Sequence, residues 1–81
     1  MMELVLYMFD GCPFCRKVIR EIEAEGRDDI KFCDIHKSEE DRRRLISAGG
    51  KEQVPCLFID GKPLYESLDI IQWLSGHPQS A

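Results

Sequence analysis

The sequence predicts an α/β fold with the element order β-α-β-α-β-β-α and one mixed sheet of four strands, flanked by helices. An apolar run that ends at residue 9 is followed by a helical pattern and a second apolar run, which is typical of a parallel β-α-β unit. Farther along, Asp60-Gly61 lies between two short apolar runs and indicates an antiparallel hairpin. The chain of 81 residues is short enough for one domain. We predict that this domain spans residues 1–75 and that residues 76–81 form a flexible polar tail.

The first half of the chain holds the predicted parallel unit. The first strand is predicted over residues 3–9, where nearly every position is apolar, as in a strand covered on both faces. The first helix is predicted over residues 13–25, because apolar residues recur there at helical spacing among charged ones. Pro13 suits its first turn, and Gly26 suits the position just after its end. The second strand is predicted over residues 30–35.

The second half holds two further helices and the hairpin. Ser38 is predicted to cap a helix over residues 39–48, because an acidic residue follows it three positions later. Strands over residues 56–59 and 63–65 flank the hairpin turn. Ser67 is predicted to be the N-cap of the last helix. The buried face of that helix is predicted to consist of Leu68, Ile71 and Leu74, with Ile70 and Trp73 beside them.

Composition argues against several classes of protein. The formal net charge of −4 argues against general binding of nucleic acids or anionic membranes. The apolar run at residues 4–9 is far shorter than the roughly 20 residues that a membrane-spanning helix needs. Met1-Met2-Glu3 lacks the basic start of a secretory signal, so we expect a cytoplasmic protein. In a reducing compartment the four cysteines indicate redox chemistry or metal binding, and not a disulfide scaffold.

Cys12-Pro13-Phe14-Cys15 lies where the first predicted strand ends and the first predicted helix begins. Free N–H groups and the positive end of the helix dipole stabilise a thiolate at such a position. They can lower the pKa of a cysteine thiol from about 8.5 to between about 3.5 and 7.5. Arg16 and Lys17 add positive charge in the same turns. We therefore predict that Cys12, near the N-cap, is the nucleophile and that Cys15, one turn later, is its partner.

Three short features together resemble a known family. These are Cys-Pro-Phe-Cys at residues 12–15, Val54-Pro55 before the third predicted strand, and the Asp60-Gly61 hairpin. In combination they are similar to the glutaredoxins, which have a thioredoxin-like fold. The predicted order of elements agrees with that fold over essentially the whole chain.

Further segments indicate which branch of the glutaredoxins the chain resembles. Residues 6–15 and 66–70, together with Gln53-Val54-Pro55, are similar to the glutathione-transferase-like glutaredoxins and to the N-terminal domain of glutathione transferases. Many small glutaredoxins have a Lys three residues before the first cysteine, where this chain has Phe9. They also have a Gly-Gly pair before an acidic pair, where this chain has Glu66-Ser67. Both differences favour the transferase-like branch, whose members usually continue into a helical second domain.

The resemblance implies glutathione-dependent thiol–disulfide exchange. Cys12 would form a mixed disulfide with a disulfide-containing or glutathionylated protein, and glutathione or Cys15 would release it. Glutathione is then a co-substrate, and neither a cofactor nor a metal is bound permanently. We expect a monomer without nucleic-acid or membrane partners.

The resemblance also implies a groove that binds glutathione. It places a cis Pro55 against the active-site cysteine, which leaves the backbone N–H and C=O of Val54 free to pair with an extended tripeptide. Glu66 would hold the ammonium of the γ-glutamyl group, and Ser67 with the helix N-terminus would hold its carboxylate. Phe14 is expected to be exposed and to touch the substrate.

Other interpretations of the cysteines remain open. Cys12, Cys15, Cys33 and His36 have a spacing that resembles a zinc ribbon, which would make the chain a metal-stabilised interaction module. A thioredoxin-like redox protein could instead take electrons from a donor other than glutathione. The proline between the first two cysteines argues against a bridged iron–sulfur cluster of the kind that some glutaredoxins carry. We interpret Cys33 and Cys56 as small buried apolar residues.

Overall fold

The computed structural model describes residues 2–79. Its elements are β1 Leu4–Met8, α1 Pro13–Ala24, β2 Ile30–Asp34, α2 Glu39–Gly49, β3 Cys56–Ile59, β4 Lys62–Tyr65 and α3 Ser67–Gly76. The predicted order is confirmed, and the ends differ from the predicted ones by about one residue. Within residues 2–79, none of the helices has the length and apolar character that a membrane span requires. Met1 and residues 80 and 81 of the predicted tail lie outside the described residues.

The strands form one mixed sheet in the order β2-β1-β3-β4. β1 runs parallel to β2, whereas β3 is antiparallel to both β1 and β4. The predicted four-stranded mixed sheet of a thioredoxin-like fold is therefore confirmed. Tyr7 near the end of β1 pairs with Cys56 at the start of β3. Cys12 follows β1 and Pro55 precedes β3, so the topology brings these two residues to the same end of the sheet.

Different helices cover the two faces of the sheet. One face packs against α1 and α3, and the buried residues of this cluster include Leu6, Met8, Val18, Leu57, Ile70 and Leu74. The other face packs against α2, and its buried residues are Tyr7, Cys33, Ile35, Leu45, Cys56 and Phe58. Because β1 is central and covered on both faces, its sequence lacks the alternation of a half-exposed strand.

Local backbone chemistry explains where α1 and α2 end. At the end of α1, the N–H of Gly26 donates to Glu23 and the N–H of Arg27 donates to Ile22. These two bonds form a Schellman motif, which requires the positive φ of 65° that Gly26 adopts. At the start of α2, the Ser38 hydroxyl accepts a hydrogen bond of 3.2 Å from the N–H of Asp41. The predicted caps Gly26 and Ser38 are thus confirmed.

The start of α3 differs from the prediction. Glu66 is the N-cap, Ser67 is the first helical residue, and the N-cap side chain makes no capping hydrogen bond. Leu68 is 72% exposed, whereas Ile70 and Leu74 are fully buried. The side chains of Ile70 and Leu74 lie one turn apart and face α1 and the sheet. Leu68 therefore points away from the core. The predictions of Ser67 as a cap and Leu68 as a core residue are therefore wrong.

A buried arginine fastens the end of α3 to the connection between α1 and β2. The side chain of Arg27 is 3% exposed and donates to both carboxylate oxygens of Asp29, at 3.0 and 2.9 Å. It also donates to the carbonyl oxygens of Leu74 at 3.2 Å and His77 at 2.9 Å. The Leu74 carbonyl also accepts a hydrogen bond of 3.2 Å from the N–H of His77, so the guanidinium adds a second donor there and supplies one to the carbonyl of His77 at the helix end.

Candidate active site

Cys12 lies at the N-terminus of α1, where the sequence predicted it. Gly11, with a φ of 88°, turns the chain out of β1 and into the helix. Cys12 is the N-cap, Pro13 follows in the first turn, and Cys12 Sγ accepts a hydrogen bond of 3.4 Å from the N–H of Cys15. The sulfur therefore lies against free N–H groups at the positive end of the helix dipole.

Cys15 has a different environment although it is only one turn away. It has no exposed surface, whereas Cys12 is 6% exposed. Burial, followed by a hydrogen bond to the Cys12 sulfur as the second cause, raises the pKa of the Cys15 thiol to about 12. Both cysteines are free thiols. Cys15 consequently stays protonated at neutral pH, with its S–H available to the Cys12 sulfur.

A groove of about 540 Å³ lies beside the N-terminus of α1. It is lined by Phe14, Lys17, Gln53, Val54, Pro55, Glu66, Ser67, Leu68 and Asp69. All five residues that the resemblance implied for glutathione are therefore brought together, although they come from three separate parts of the chain. Phe14 is 57% exposed at the rim. A crevice of similar size near Arg27 lies at the end of α1 that is farther from Cys12.

Val54 and Pro55 form one wall of this groove. The Val54–Pro55 peptide bond is cis, as the resemblance implies. Within the described part of the chain, the backbone of Val54 takes part in no backbone hydrogen bond. Its N–H and C=O are therefore available to an extended ligand that adds as a strand.

Glu66 and Ser67 form the opposite wall. Glu66 has a φ of 72° and a ψ of 122°, a conformation that costs a non-glycine residue about 1–3 kcal/mol. Its carboxylate accepts a hydrogen bond of 3.1 Å from the Gln53 side chain across the groove. Ser67 is buried in the first turn of α3, where free N–H groups favour an anion. The wall thus offers a carboxylate for a cation next to donors for an anion.

Four of the lining residues were not predicted to face this groove: Lys17, Gln53, Leu68 and Asp69. Lys17 was predicted only to add positive charge in the first turns of α1. Gln53 adjoins the Val-Pro segment, and Asp69 lies in the first turn of α3, so their proximity to predicted residues was a usable signal. Leu68 was placed in the core, because a leucine in an amphipathic helix is usually buried. No local pattern could have shown that it lines the groove.

Cys33 and Cys56 lie on the other face of the sheet from Cys12 and Cys15. Burial raises the pKa of both thiols, and that of Cys56 reaches about 11. His36 stacks on Phe9, with ring centroids 4.1 Å apart. The four cysteine and histidine ligands of the zinc interpretation are therefore not brought together. Among the residues that the structure describes, no three His, Cys, Asp or Glu side chains form a group that could hold a metal ion.

The sequence matches a protein family whose fold agrees with this structure. The family model described as the glutathione S-transferase N-terminal domain matches residues 6–80. The chain therefore belongs to this family of thioredoxin-like domains.

The individual proteins that this chain resembles have low sequence identity to it. A probable glutaredoxin from Synechocystis sp. is 26% identical over 58 residues, which are 72% of this chain and 66% of that protein. The chain thus matches just under two thirds of that relative's length. The crystal structure of a thioredoxin-like protein is similar to this chain, with a TM-score of 0.75 and 22% sequence identity. The match covers 88% of this chain and 97% of that protein's chain. The structure of a glutathione S-transferase from Bombyx mori, termed unclassified 2, has a TM-score of 0.81 and 21% sequence identity to this chain. The match covers 98% of this chain and 37% of the transferase chain.

Proposed function

We propose that the protein is a glutathione-dependent thiol–disulfide oxidoreductase with Cys12 as its nucleophile. The observation that carries the proposal is the position of the Cys12 sulfur, at the N-terminus of α1 and beside a groove with a free backbone segment. Membership of the glutathione S-transferase N-terminal domain family supports it. The name of the Synechocystis relative, a probable glutaredoxin, points to the same chemistry.

In the first step, the Cys12 thiolate attacks the glutathione sulfur of a glutathionylated protein. A new disulfide forms between Cys12 and glutathione, the old disulfide breaks, and the target cysteine leaves as a thiolate that takes a proton from water. The N–H of Cys15, the helix dipole and the Cys15 thiol all stabilise negative charge on the Cys12 sulfur before the attack.

In the second step, a glutathione thiolate attacks the glutathione sulfur held on Cys12. This produces glutathione disulfide and returns the Cys12 thiolate. One free glutathione is oxidised for each target cysteine released, and the other half of the glutathione disulfide is the group removed from the target.

With a protein disulfide as substrate, Cys12 forms a mixed disulfide with one target cysteine, the other target cysteine leaves as a thiolate, and Cys15 can then attack the sulfur of Cys12. A Cys12–Cys15 disulfide forms, the first target cysteine leaves as a thiolate, and two glutathione molecules reduce the new disulfide and become glutathione disulfide. Because the pKa of Cys15 is raised to about 12, that route requires removal of its proton during the attack.

The groove would position glutathione for both steps. The free backbone of Val54 would pair with the cysteinyl residue of glutathione, next to Pro55. Glu66 would hold the γ-glutamyl ammonium, while Ser67 and the N–H groups of α3 would hold its carboxylate. Phe14 would contact the substrate at the rim. In this proposal the protein is a cytoplasmic monomer that acts on disulfide-containing or glutathionylated proteins and needs no resident cofactor.

The test is turnover of a glutathione mixed disulfide, coupled to glutathione reductase and NADPH. Wild-type protein should show turnover that depends on glutathione. Cys12→Ser should lower it on the order of 10³-fold or more, because the nucleophile is lost. Cys15→Ser should retain most of the activity, because glutathione itself completes the cycle.

Two results would count against the proposal. Activity of Cys12→Ser close to that of the wild type would rule out Cys12 as the nucleophile. Turnover with thioredoxin reductase and NADPH, but none with glutathione, would show that the electron donor is a different one.

A further inference from the structure

The charges of α1 are arranged against the dipole of the helix. Arg16 and Lys17 lie in its first half, and Arg20 lies in its second half before Glu21 and Glu23. Neither an acidic residue in the first turn nor a basic residue in the last turn is present. Cations near a helix N-terminus and anions near its C-terminus are both unfavourable. Arg16 and Arg20 also repel each other, because they lie four residues apart on one side of the helix.

The other cationic helix, α2, has the opposite arrangement. Its first turn is acidic, and its arginines form ion pairs with Glu39, Glu40, Asp41 and Glu52. Over residues 2–79, by contrast, none of the three cations of α1 takes part in an ion pair. Helix stability explains the basic residues of α2 but not those of α1. The α1 cations are left free for a charge outside the chain.

These cations lie on two sides of Cys12. Lys17 lines the groove, with its ammonium 5.7 Å from the centre of the Phe14 ring. Arg16 and Arg20 line a separate crevice of about 160 Å³. We call this crevice the basic flank; it is lined by Phe9, Asp10, Arg16, Ile19, Arg20 and Glu23.

The basic flank combines free positive charge with apolar surface. Asp10, one of its two carboxylates, lies 3.3 Å from the ammonium of Lys37. The other, Glu23, lies nearly two turns beyond Arg16 along α1 and farther from Cys12. Phe9 and Ile19 are half-buried and supply the apolar part. Arg16 therefore carries the positive charge at the end of the crevice that is nearest to the nucleophile, and Arg20 continues it one turn farther along α1.

We propose that the basic flank binds an acidic segment of the protein whose cysteine is reduced. The proposal rests on the function proposed above. In that reaction glutathione fills the groove, and the attacking, central and leaving sulfurs lie roughly in line. The target polypeptide must then approach Cys12 from outside the groove. On that side, two unpaired guanidinium groups fit carboxylates of the target next to its cysteine.

The experiment compares two glutathionylated peptides of equal length, one with glutamates and one with lysines on both sides of the cysteine. The quantity measured is the ratio of their kcat/KM values in the coupled assay. Three proteins are compared: the wild type, Arg16→Gln/Arg20→Gln, and Lys31→Gln/Lys62→Gln. The last is a matched control, because both lysines are exposed, lie toward the other end of the sheet and make no ion pair among residues 2–79. Comparing ratios between proteins cancels the different intrinsic reactivities of the two peptides.

We expect the ratio of acidic to basic peptide to fall on the order of tenfold in Arg16→Gln/Arg20→Gln and to stay constant in the control. The same fall should occur for wild type at about 1 M salt, where the screening length is only about 3 Å. An unchanged ratio in the arginine variant would overturn the proposal. An equal fall in the control would also overturn it, because net charge would then explain the effect.

A parallel assay with neutral β-hydroxyethyl disulfide separates this proposal from the one on which it rests. If the wild type reduces that substrate but the peptide ratio is unchanged in Arg16→Gln/Arg20→Gln, only the proposed role of the basic flank is ruled out. Absence of turnover with both this substrate and the peptides rules out the proposed oxidoreductase, and the basic flank with it.

Discussion

Two pairs of buried cysteines lie on opposite faces of the same sheet. Cys12 and Cys15 belong to the cluster under α1 and α3, whereas Cys33 and Cys56 belong to the cluster under α2. All four are free thiols and all four are buried. Burial by itself therefore does not distinguish the proposed nucleophile from the cysteines of the other pair.

The backbone around each pair differs. Cys33 and Cys56 lie within strands, directly across from Tyr7 on either side of it. Cys56 lies in β3, which pairs with a strand on each side, and Cys33 lies in β2, which pairs with β1. Neither position is at a helix N-terminus, where several free N–H groups point towards one thiolate. Cys12 instead precedes a helix whose first N–H groups have no helical partners, and a groove lies beside it. The difference shows that a reactive thiol requires free donors and substrate access, which the strand positions lack.

Alkylation of the native protein should separate the two pairs most clearly. With iodoacetamide at neutral pH, Cys12 should react on the order of 100-fold faster than Cys33 or Cys56, because free N–H donors stabilise its thiolate and it retains some exposure. Peptide mapping by mass spectrometry would identify the labelled thiol. Unfolding in guanidinium should make all four react. Fast labelling of Cys33 or Cys56 in the native protein would contradict the distinction.

Alkaline pH should reveal the buried thiols through stability. Folding raises the pKa of Cys15 to about 12 and that of Cys56 to about 11, from a reference of 9.0. Above about pH 9 the unfolded chain therefore loses these protons before the native protein does. Below about pH 9 these two thiols should not change the free energy of unfolding. As the pH rises from there towards 11, their contribution should make it decrease.

A variant isolates the contribution of these two thiols. Cys15→Ala/Cys56→Ala should lose less stability than wild type between about pH 9 and 11, as measured by urea unfolding. A smaller slope should remain, because burial also raises the pKa of Cys33, Tyr7 and Tyr65. Identical slopes in the two proteins would show that the thiols ionise alike in the folded and unfolded states.

Gly49 on α2 leaves room for Tyr65, which is the cross-strand partner of Cys56 and packs against the cluster that contains it. The Tyr65 hydroxyl donates a hydrogen bond of 3.0 Å to the carbonyl of Gly49, and a Cβ at position 49 would overlap that hydroxyl. Gly49→Ala should displace Tyr65, lower the free energy of unfolding by about 1–2 kcal/mol and make Cys56 open to alkylation. Gly76→Ala is the matched control, because a Cβ there meets nothing within 4 Å. If Cys56 stays unlabelled in Gly49→Ala, Tyr65 does not protect it.

Much of this comparison could be predicted from local sequence patterns. Periodicity and turn residues placed every strand and helix, because each element agrees with its local preferences. The N-cap position of Cys12 followed from the change from an apolar run to a helical pattern with Pro13 at its start. The interpretation of Cys33 and Cys56 as buried apolar residues followed from their place in strands, and the structure agrees.

The start of α3 could not be predicted in this way. A serine before a helical pattern usually caps the helix, but here Glu66 takes the cap position with a φ of 72°. Its pairing with Gln53, which lies thirteen residues earlier, is a tertiary contact without any local signal. The exposure of Leu68 has the same origin, since contacts with α1 and the sheet decide which side of α3 is buried.

The most direct test is to locate glutathione on the protein itself. Reduced Cys15→Ser protein, exposed briefly to glutathione disulfide and quenched with acid, should carry a single glutathione, and peptide mapping should place it on Cys12. Cys12→Ser treated in the same way should carry none. Glutathione on Cys33 or Cys56, or an equal amount on both variants, would contradict the assignment of Cys12 as the nucleophile.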